Sequence, residues 1–397
     1  MAVAALPRVY ALSMRELYAQ VIADVRDGKA GTIHPELYRA YSESLRKAVS
    51  GFAPPAHSSS PSYKSYQDLQ AQFEANLSRF AAYKAWHATR QLERQLADPD
   101  GVQRTPEQFD RMARAVLNTF NRYQAAEYNT AVARARTAHQ WQQFSQGDNM
   151  FLFPNLRWLP SRSANPREEH MPFYNLVLPK NHTFWTHNQP GNLWNCKCDW
   201  EETDDPIDLR KLTPDQLADF STAQGAIHAR GLEGNPAQTG QIFTDECTYI
   251  KKANADTPTE IIRAVRDFNR ELYKDIDLHF DTNIGKVWVD EITIKEVTKG
   301  AKTDESYFLK QEIARHFDLY ASQLQPILPD EDIDLSHNNP ESEFYKRKEQ
   351  FCKMKVFKLT IIRQDQKGNK TTFDFQVKLG QYDNSGKLNL YSITEPW

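Results

Sequence analysis

Two neighbouring stretches, LRWLPSRSANPREEH (156–170) and LPKNHTFWTHNQPGNLWNCKCDW (178–200), differ from the rest of the chain. They lie within residues 149–205, which are rich in Pro, Asn, Trp and His and show no sustained helical or strand period. An irregular stretch of this length inside a compact domain needs packing of its own, or a metal, to hold it together. Its aromatic residues can supply such packing. They are Phe151, Phe153, Trp158, Phe173, Tyr174, Phe184, Trp185, Trp194 and Trp200.

The same stretch concentrates metal-binding residue types. Three of the 11 histidines and two of the four cysteines of the chain lie in it. They are His170, His182, His187, Cys196 and Cys198. Neutral imidazole and thiolate are the usual ligands of zinc. We therefore predict a structural zinc site whose ligands are His170, His187, Cys196 and Cys198.

Two other interpretations of this cluster stay open, because Cys-x-Cys is closer than ordinary zinc-finger spacing. The first is a pair of buried cysteines and hydrogen-bonded histidines in an aromatic core. The second is a nucleophilic Cys–His enzyme, which is less favoured because no residue pattern indicates an oxyanion hole or a group that orients the base.

Composition restricts the class of protein. At roughly 150 residues per domain, 397 residues predict two to three domains. The mean hydropathy of −0.70 is low, yet 17 Tyr, 21 Phe and 8 Trp exclude a chain that is disordered throughout. No run of 18 apolar residues exists, so we expect no membrane span. The short apolar start lacks the basic region of a signal peptide. Four cysteines do not form a disulfide scaffold, so we expect a reducing compartment.

The first 150 residues read as helices. Ser13 with Glu16 forms a capping-box pattern, and a second helix is expected over 35–49. A third is expected from Ser65 to about Leu96. Thr105, Pro106 and Gln108 begin a fourth, which the apolar spacing extends to Phe144. Long helices with few short links predict an extended helical arm or bundle, which we assign to residues 1–108.

Residues 110–205 resemble the phage Mu F-like family of minor head (head morphogenesis) proteins. An Arg-x-x-His element is followed by Leu-Pro and Phe-Trp elements, and then by a Pro-containing step into Asn-Cys-basic-Cys. The matching residues are Arg167, His170, Leu178, Pro179, Phe184, Trp185, Asn195, Cys196, Lys197 and Cys198. The helix ending in QAAEYNTAVARARTAHQW also resembles the helix that precedes this domain in the family. The chain departs from the commonest form at His182 and His187, and at Gln189-Pro190, which stands where a Pro-Pro step is usual.

This resemblance implies a Mu F-like domain over 109–205 and a role in capsid assembly, DNA packaging or injection. It implies phage portal and capsid proteins as partners, and a location in the virion head and the host bacterial cytoplasm. It also implies that the Cys/His cluster is structural. Phage DNA is a further expected partner, since residues 1–200 carry 23 Lys and Arg against 17 Asp and Glu, although protein contacts fit this modest excess equally well.

The remaining chain divides into an acidic linker, 206–250, and a C-terminal domain, 251–397. A helix starts at Thr257, a strand is predicted over 287–297, and a helix over 304–324. Residues 329–343 read as an acidic loop. Three strands follow, over 355–363, 371–379 and 388–394, with hairpin-type links. The predicted fold class is thus α+β multidomain, in which the C-terminal helices pack on an antiparallel sheet.

This layout is similar to the phage-associated nuclease-like domains of the barnase, colicin and RelE group. The resemblance implies an RNase effector domain with RNA as substrate. Metal-independent RNA cleavage needs an acid, a base and cations at the phosphate. The candidate catalytic residues are His316, Lys302, Lys355, Lys378 and Ser392.

Each of these residues also has an ordinary structural explanation, as a packed histidine or a solvated strand lysine. A purely structural portal- or capsid-associated protein is therefore an alternative. An ADP-ribosyltransferase is a third class. It is weakly supported, because the only Glu-x-Glu of this region, Glu341-Ser342-Glu343, falls in the acidic loop.

Overall fold

The fold is mixed α+β, as predicted, with long helices in the N-terminal half and an antiparallel-rich sheet packed with helices at the C-terminal end. The computed structural model describes residues 13–52, 61–145, 149–253, 255–272, 278–297, 300–335, 339–364, 370–382 and 387–395. These residues form two compact units. The helical unit takes the described residues of 38–254 and 363–371, and the sheet unit those of 1–37, 255–362 and 372–397.

This division differs from the predicted domains in two respects. Described residues 13–37 belong with the sheet unit, so the N-terminal residues do not all join one helical arm. Residues 206–250, predicted as a linker, belong with the helical unit and contribute buried side chains to it, including Leu232, Ile242 and Phe243.

Helices α1 and α4 begin where their capping residues predict. The helices of the first half are α1 (Met14–Arg26), α2 (Pro35–Val49), α3 (Pro61–Glu93) and α4 (Pro106–Phe144). Ser13 and Glu16 form the expected capping box of α1, as Thr105 and Gln108 do for α4. Helix α3 begins four residues before the predicted Ser65 and ends before the predicted Leu96.

Helices α3 and α4 pack together and bury a charged pair at their contact. Lys84 of α3 donates to the carboxylate of Glu127 of α4, and the hydroxyl of Tyr249 donates to the same carboxylate over 3.3 Å. Asn76 of α3 binds the backbone at 242–243: its Nδ2 donates to the Phe243 carbonyl and its Oδ1 accepts from the amides of Ile242 and Phe243. These amides lie far from α3 in sequence. Their hydrogen bonds to Asn76 hold the backbone at 242–243 against α3, which explains why residues 206–250 pack on the helical unit.

A small antiparallel sheet with order β2-β1-β3 occupies the irregular stretch. Leu156 lies opposite Leu178, and Trp158 opposite Trp200. The elements after α4 in the helical unit are α5 (Asn149–Leu152), β1 (Asn155–Leu159), a 3₁₀ helix (Glu168–Phe173), β2 (Val177–Pro179), α6 (Phe184–His187), β3 (Asp199–Thr203), α7 (Pro214–Phe220), α8 (Pro236–Thr239) and α9 (Thr248–Lys251).

The sheet unit contains a six-stranded sheet with order β4-β5-β9-β8-β7-β6, in which β5 and β9 are parallel. Helix α11 packs on β9, and α10 and α12 pack on α11. The elements are α10 (Thr257–Leu272), β4 (Leu278–Thr282), β5 (Gly285–Val289), α11 (Glu291–Val297), α12 (Asp304–Arg315), α13 (Phe317–Ala321), β6 (Gln325–Glu331), α14 (Glu343–Lys348), β7 (Phe351–Gln364), β8 (Lys370–Tyr382) and β9 (Leu388–Thr394).

Three predicted elements of this unit were wrong in part. The strand predicted over 287–297 ends at Val289, because Asp290 caps a new helix by accepting from the amide of Thr293 over 2.7 Å. The helix predicted over 304–324 breaks at His316, whose φ of −125° and ψ of 43° are not helical. The predicted loop at 329–343 begins inside β6, an edge strand, where its two prolines cost no central ladder bond.

Within the described residues, no helix combines the length and apolar character needed to cross a bilayer.

Candidate metal centre

Three predicted ligands meet at one point beside the small sheet. The ligand atoms of His170, Cys196 and Cys198 all lie within 4.8 Å of one another. The Nδ1 atom of His170 is 3.4 Å from the sulfur of Cys196 and 3.9 Å from that of Cys198. All three side chains are buried. The group can therefore hold a metal ion with one imidazole and two sulfur donors.

Local backbone structure aims these donors at one another. The 3₁₀ helix turns His170 inward, where its ring meets Trp158 edge-on at 5.0 Å between centroids. Asn195 adopts a left-handed φ of 58° immediately before Cys196, and its amide donates to the hydroxyl of Thr130 on α4. Cys198 directly precedes β3. The Cys-x-Cys segment is thus fixed between α4 and the small sheet.

The two thiols differ in acidity. The contact with Cys198, together with His170, lowers the pKa of Cys196. The pKa of Cys198 is raised by its contact with Cys196 and by burial. The pair therefore favours the thiolate at Cys196, and the thiolate is the form of cysteine that binds metals.

The structure does not bring the fourth predicted ligand, His187, into this group. His187 ends α6, its carbonyl accepts from the side chain of Asn192 over 3.0 Å, and burial and the neighbouring His228 lower its pKa. His182 is also occupied elsewhere, since its Nδ1 accepts from the amide of Phe184. His187 was suggested only by its proximity in sequence to the two cysteines. The turn at 187–192 separates it from them along the chain.

One side of the group opens to a cavity of about 510 Å³. Cys196 and Cys198 line it, together with Arg167 and Lys197. The guanidinium of Arg167 donates to the carbonyl of Trp194 over 3.0 Å. The Arg-x-x-His element therefore places one residue in the metal group and the other at the cavity.

A buried arginine that sequence reasoning missed holds the segment before the Cys-x-Cys pair. Arg134 of α4 is fully buried and donates to the side-chain oxygen of Asn192 over 2.5 Å and to the carbonyl of Leu232 over 2.7 Å. It also donates to the carbonyls of Glu233 and Gly234. The signal in the sequence was an arginine on the apolar side of a helix, which is rarely buried without several partners.

Four of the predicted catalytic residues of the sheet unit have defined contacts. Lys378 lies directly opposite Ser392 in the β8–β9 ladder, and its Nζ is 2.5 Å from the carboxylate of Glu331. The imidazole of His316 lies 3.6 Å from the carboxylate of Glu312. Lys302 donates its backbone amide to the carboxylate of Glu395.

A second cavity, of about 240 Å³, lies in the sheet unit and includes Lys378 in its lining. Lys348 and Tyr391 also line it, whereas His316, Lys302, Lys355 and Ser392 do not. Lys355 is half-buried in β7. A buried arginine, Arg347, directly precedes the cavity residue Lys348 in sequence. Its Nε and Nη1 have no hydrogen-bond partner in the described structure.

Comparisons with protein-family models, with curated proteins and with solved structures found no match.

The role of Arg134 gives a stability prediction. Replacing Arg134→Met leaves the oxygens of Asn192 and Leu232 buried without their donor, so we expect the free energy of unfolding to fall by roughly 3 kcal/mol or more. Urea unfolding of the full chain measures this loss. The control, Arg114→Met, changes an exposed arginine of the same helix and should alter stability by less than about 0.5 kcal/mol. Equal effects of the two substitutions would contradict the assignment.

Proposed function

We propose that this chain is a Mu F-like minor head protein of a phage or prophage, and that a structural zinc ion stabilises its head module. One observation carries the proposal: residues that give the family resemblance, between 178 and 198, share one buried core. Leu178, Phe184, Trp185, Cys196 and Cys198 all belong to it. This common packing of the matching residues supports the proposal.

The donor spacing supports zinc. With bonds of about 2.0–2.1 Å to nitrogen and 2.3 Å to sulfur, ligands of a tetrahedral zinc ion lie roughly 3.6 Å (N to S) apart. The distances of 3.4 and 3.9 Å from His170 Nδ1 to the two sulfurs bracket that value. Bound zinc would link the 3₁₀ helix to the Cys-x-Cys segment.

The zinc site is tested by elemental analysis of freshly purified full chain. We expect one zinc per chain, lost in Cys196→Ser and in Cys198→Ser because each removes one of three ligands. His187→Ala and Cys352→Ser serve as controls and should keep the metal, since neither residue belongs to the group. Zinc-free wild-type protein, or loss of zinc in His187→Ala, would refute this site.

Helix α4 supports a role in contacting other virion components. It has 39 residues, which corresponds to a length of roughly 60 Å. Between Pro106 and Ala125 most of its side chains are exposed, including Arg111, Arg114 and Arg122. A long helix with a solvated surface offers contacts to a portal or capsid protein, and its arginines offer contacts to DNA phosphates.

The head role is tested on particles purified from an induced host that carries this gene. We expect mass spectrometry to find the chain in heads and bound to the portal protein. A Cys198→Ser variant should be depleted from the heads, and Cys352→Ser should not. Heads that contain portal and capsid proteins but none of this chain would disprove the proposal.

A second candidate function is RNA cleavage by the sheet unit. It is supported by the pairing of Lys378 with Ser392 across β8 and β9, with Lys378 at the 240 Å³ cavity. A lysine that lines a cavity can stabilise a phosphate by its positive charge. In the structure, the ammonium group of Lys378 pairs with the carboxylate of Glu331.

This candidate is tested by expressing the full chain in bacteria and separating total RNA on a gel, since residues 13–37 belong to the sheet unit and a fragment starting at 251 would omit them. Cleavage is expected to disappear in Lys378→Ala and to persist in Lys358→Ala, which changes an exposed lysine of β7 paired with Asp374. Intact RNA with the wild-type chain would refute RNA cleavage by the sheet unit.

A further inference from the structure

We infer that the metal centre keeps one coordination position open to the 510 Å³ cavity, and that this position takes a small oxyanion, a carboxylate or a phosphate, as its fourth ligand. The inference rests on the proposed metal site and adds a ligand to it.

The number of protein donors in the metal group indicates an open coordination position. Within the described parts of the chain, His170, Cys196 and Cys198 are the only His, Cys, Asp or Glu side chains in this group. Zinc in a structural site is almost always bound by four ligands, whereas a site with three protein ligands leaves a position for water or another molecule. The described residues therefore supply a three-ligand site.

The metal group opens toward the cavity. Both cysteines line the cavity, and His170 does not. His170 is instead packed against Trp158 and Phe173 on the core side, with ring centroids at 5.0 and 6.0 Å. An incoming ligand consequently reaches the ion past the sulfur atoms, from the cavity.

The cavity is lined by cationic and hydrogen-bonding side chains. Its lining carries two cationic side chains, Arg167 and Lys197, and no carboxylate among the described residues. Hydroxyl and amide groups of Ser161, Ser163 and Asn165 complete one wall. Two carboxylates are adjacent in sequence to lining residues: Asp199 is paired with Arg136 and Arg162, and Glu168 is exposed to solvent. Cations and neutral donors beside a metal ion favour an anion with oxygen donors.

The volume is consistent with a small ligand. Sites for small molecules typically occupy about 300–1,000 Å³, and this cavity of about 510 Å³ falls within that range. Arg167 is held by its hydrogen bond to the Trp194 carbonyl, which positions its guanidinium before a ligand arrives. This preorganisation reduces the entropy that binding costs.

The test uses the full chain with its zinc replaced by cobalt, whose visible absorption depends on the number and kind of ligands. We titrate it separately with acetate and with inorganic phosphate. We expect a saturable change of the spectrum with at least one of them. Arg167→Gln and Lys197→Gln should each weaken the affinity by about tenfold, the effect of one charge-assisted hydrogen bond. Lys211→Gln removes an exposed lysine outside the cavity and should leave the affinity unchanged.

The outcomes separate the two proposals. Cobalt that binds stoichiometrically but shows no spectral response to either anion would overturn this inference and leave the metal site standing. A response that is equal in wild type, Arg167→Gln and Lys197→Gln would also overturn it, because the cavity would then play no part. Failure to bind cobalt or zinc would overturn the metal site itself and this inference with it.

Discussion

The buried guanidinium of Arg134 is the contact on which the helical unit depends. Burial without a carboxylate partner in hydrogen-bond range lowers its pKa to about 10, because the charged form loses its hydration. Four oxygen acceptors from two distant segments compensate for that loss. Gly191 permits the close approach: its φ is 102°, and a Cβ there would lie 3.1 Å from Arg134 Cγ. The turn before the Cys-x-Cys pair and the segment at 232–234 are therefore both fixed to α4.

This arrangement explains why residues 206–250 pack and do not act as a spacer. Their acidic, glycine-containing composition is that of a linker, and short sequence windows give no sign of their partners. Those partners are single polar side chains on the long helices: Asn76 for the backbone at 242–243 and Arg134 for that at 232–234. A buried polar side chain that satisfies backbone groups is hard to distinguish in sequence from one on a solvated helix face.

Local signals predicted more than long-range ones did. Capping residues located the starts of α1 and α4, and the hairpin-type link before residue 388 located β9 at its observed bounds. Residues 287–297 were misassigned because β-branched residues continue past Asp290, whose capping bond to Thr293 ends the strand. At the candidate site, residue type predicted three ligands, but their number and geometry depend on turns. His187 is near in sequence, yet among the described residues the metal group consists of His170, Cys196 and Cys198.

The position of the metal group relative to the aromatic core bears on what the ion does. Trp158, Trp185 and Trp200 are almost fully buried. Each removes roughly 150–250 Å² from water, worth about 4–6 kcal/mol. The centre of the module is therefore stabilised by aromatic packing. The three donors are buried beside these rings, and two of them border a cavity. An ion there would link the 3₁₀ helix to the Cys-x-Cys segment at the edge of the cavity. A metal needed only for folding is normally enclosed by four protein ligands, so the placement of this group favours an ion that also meets a ligand from outside the chain.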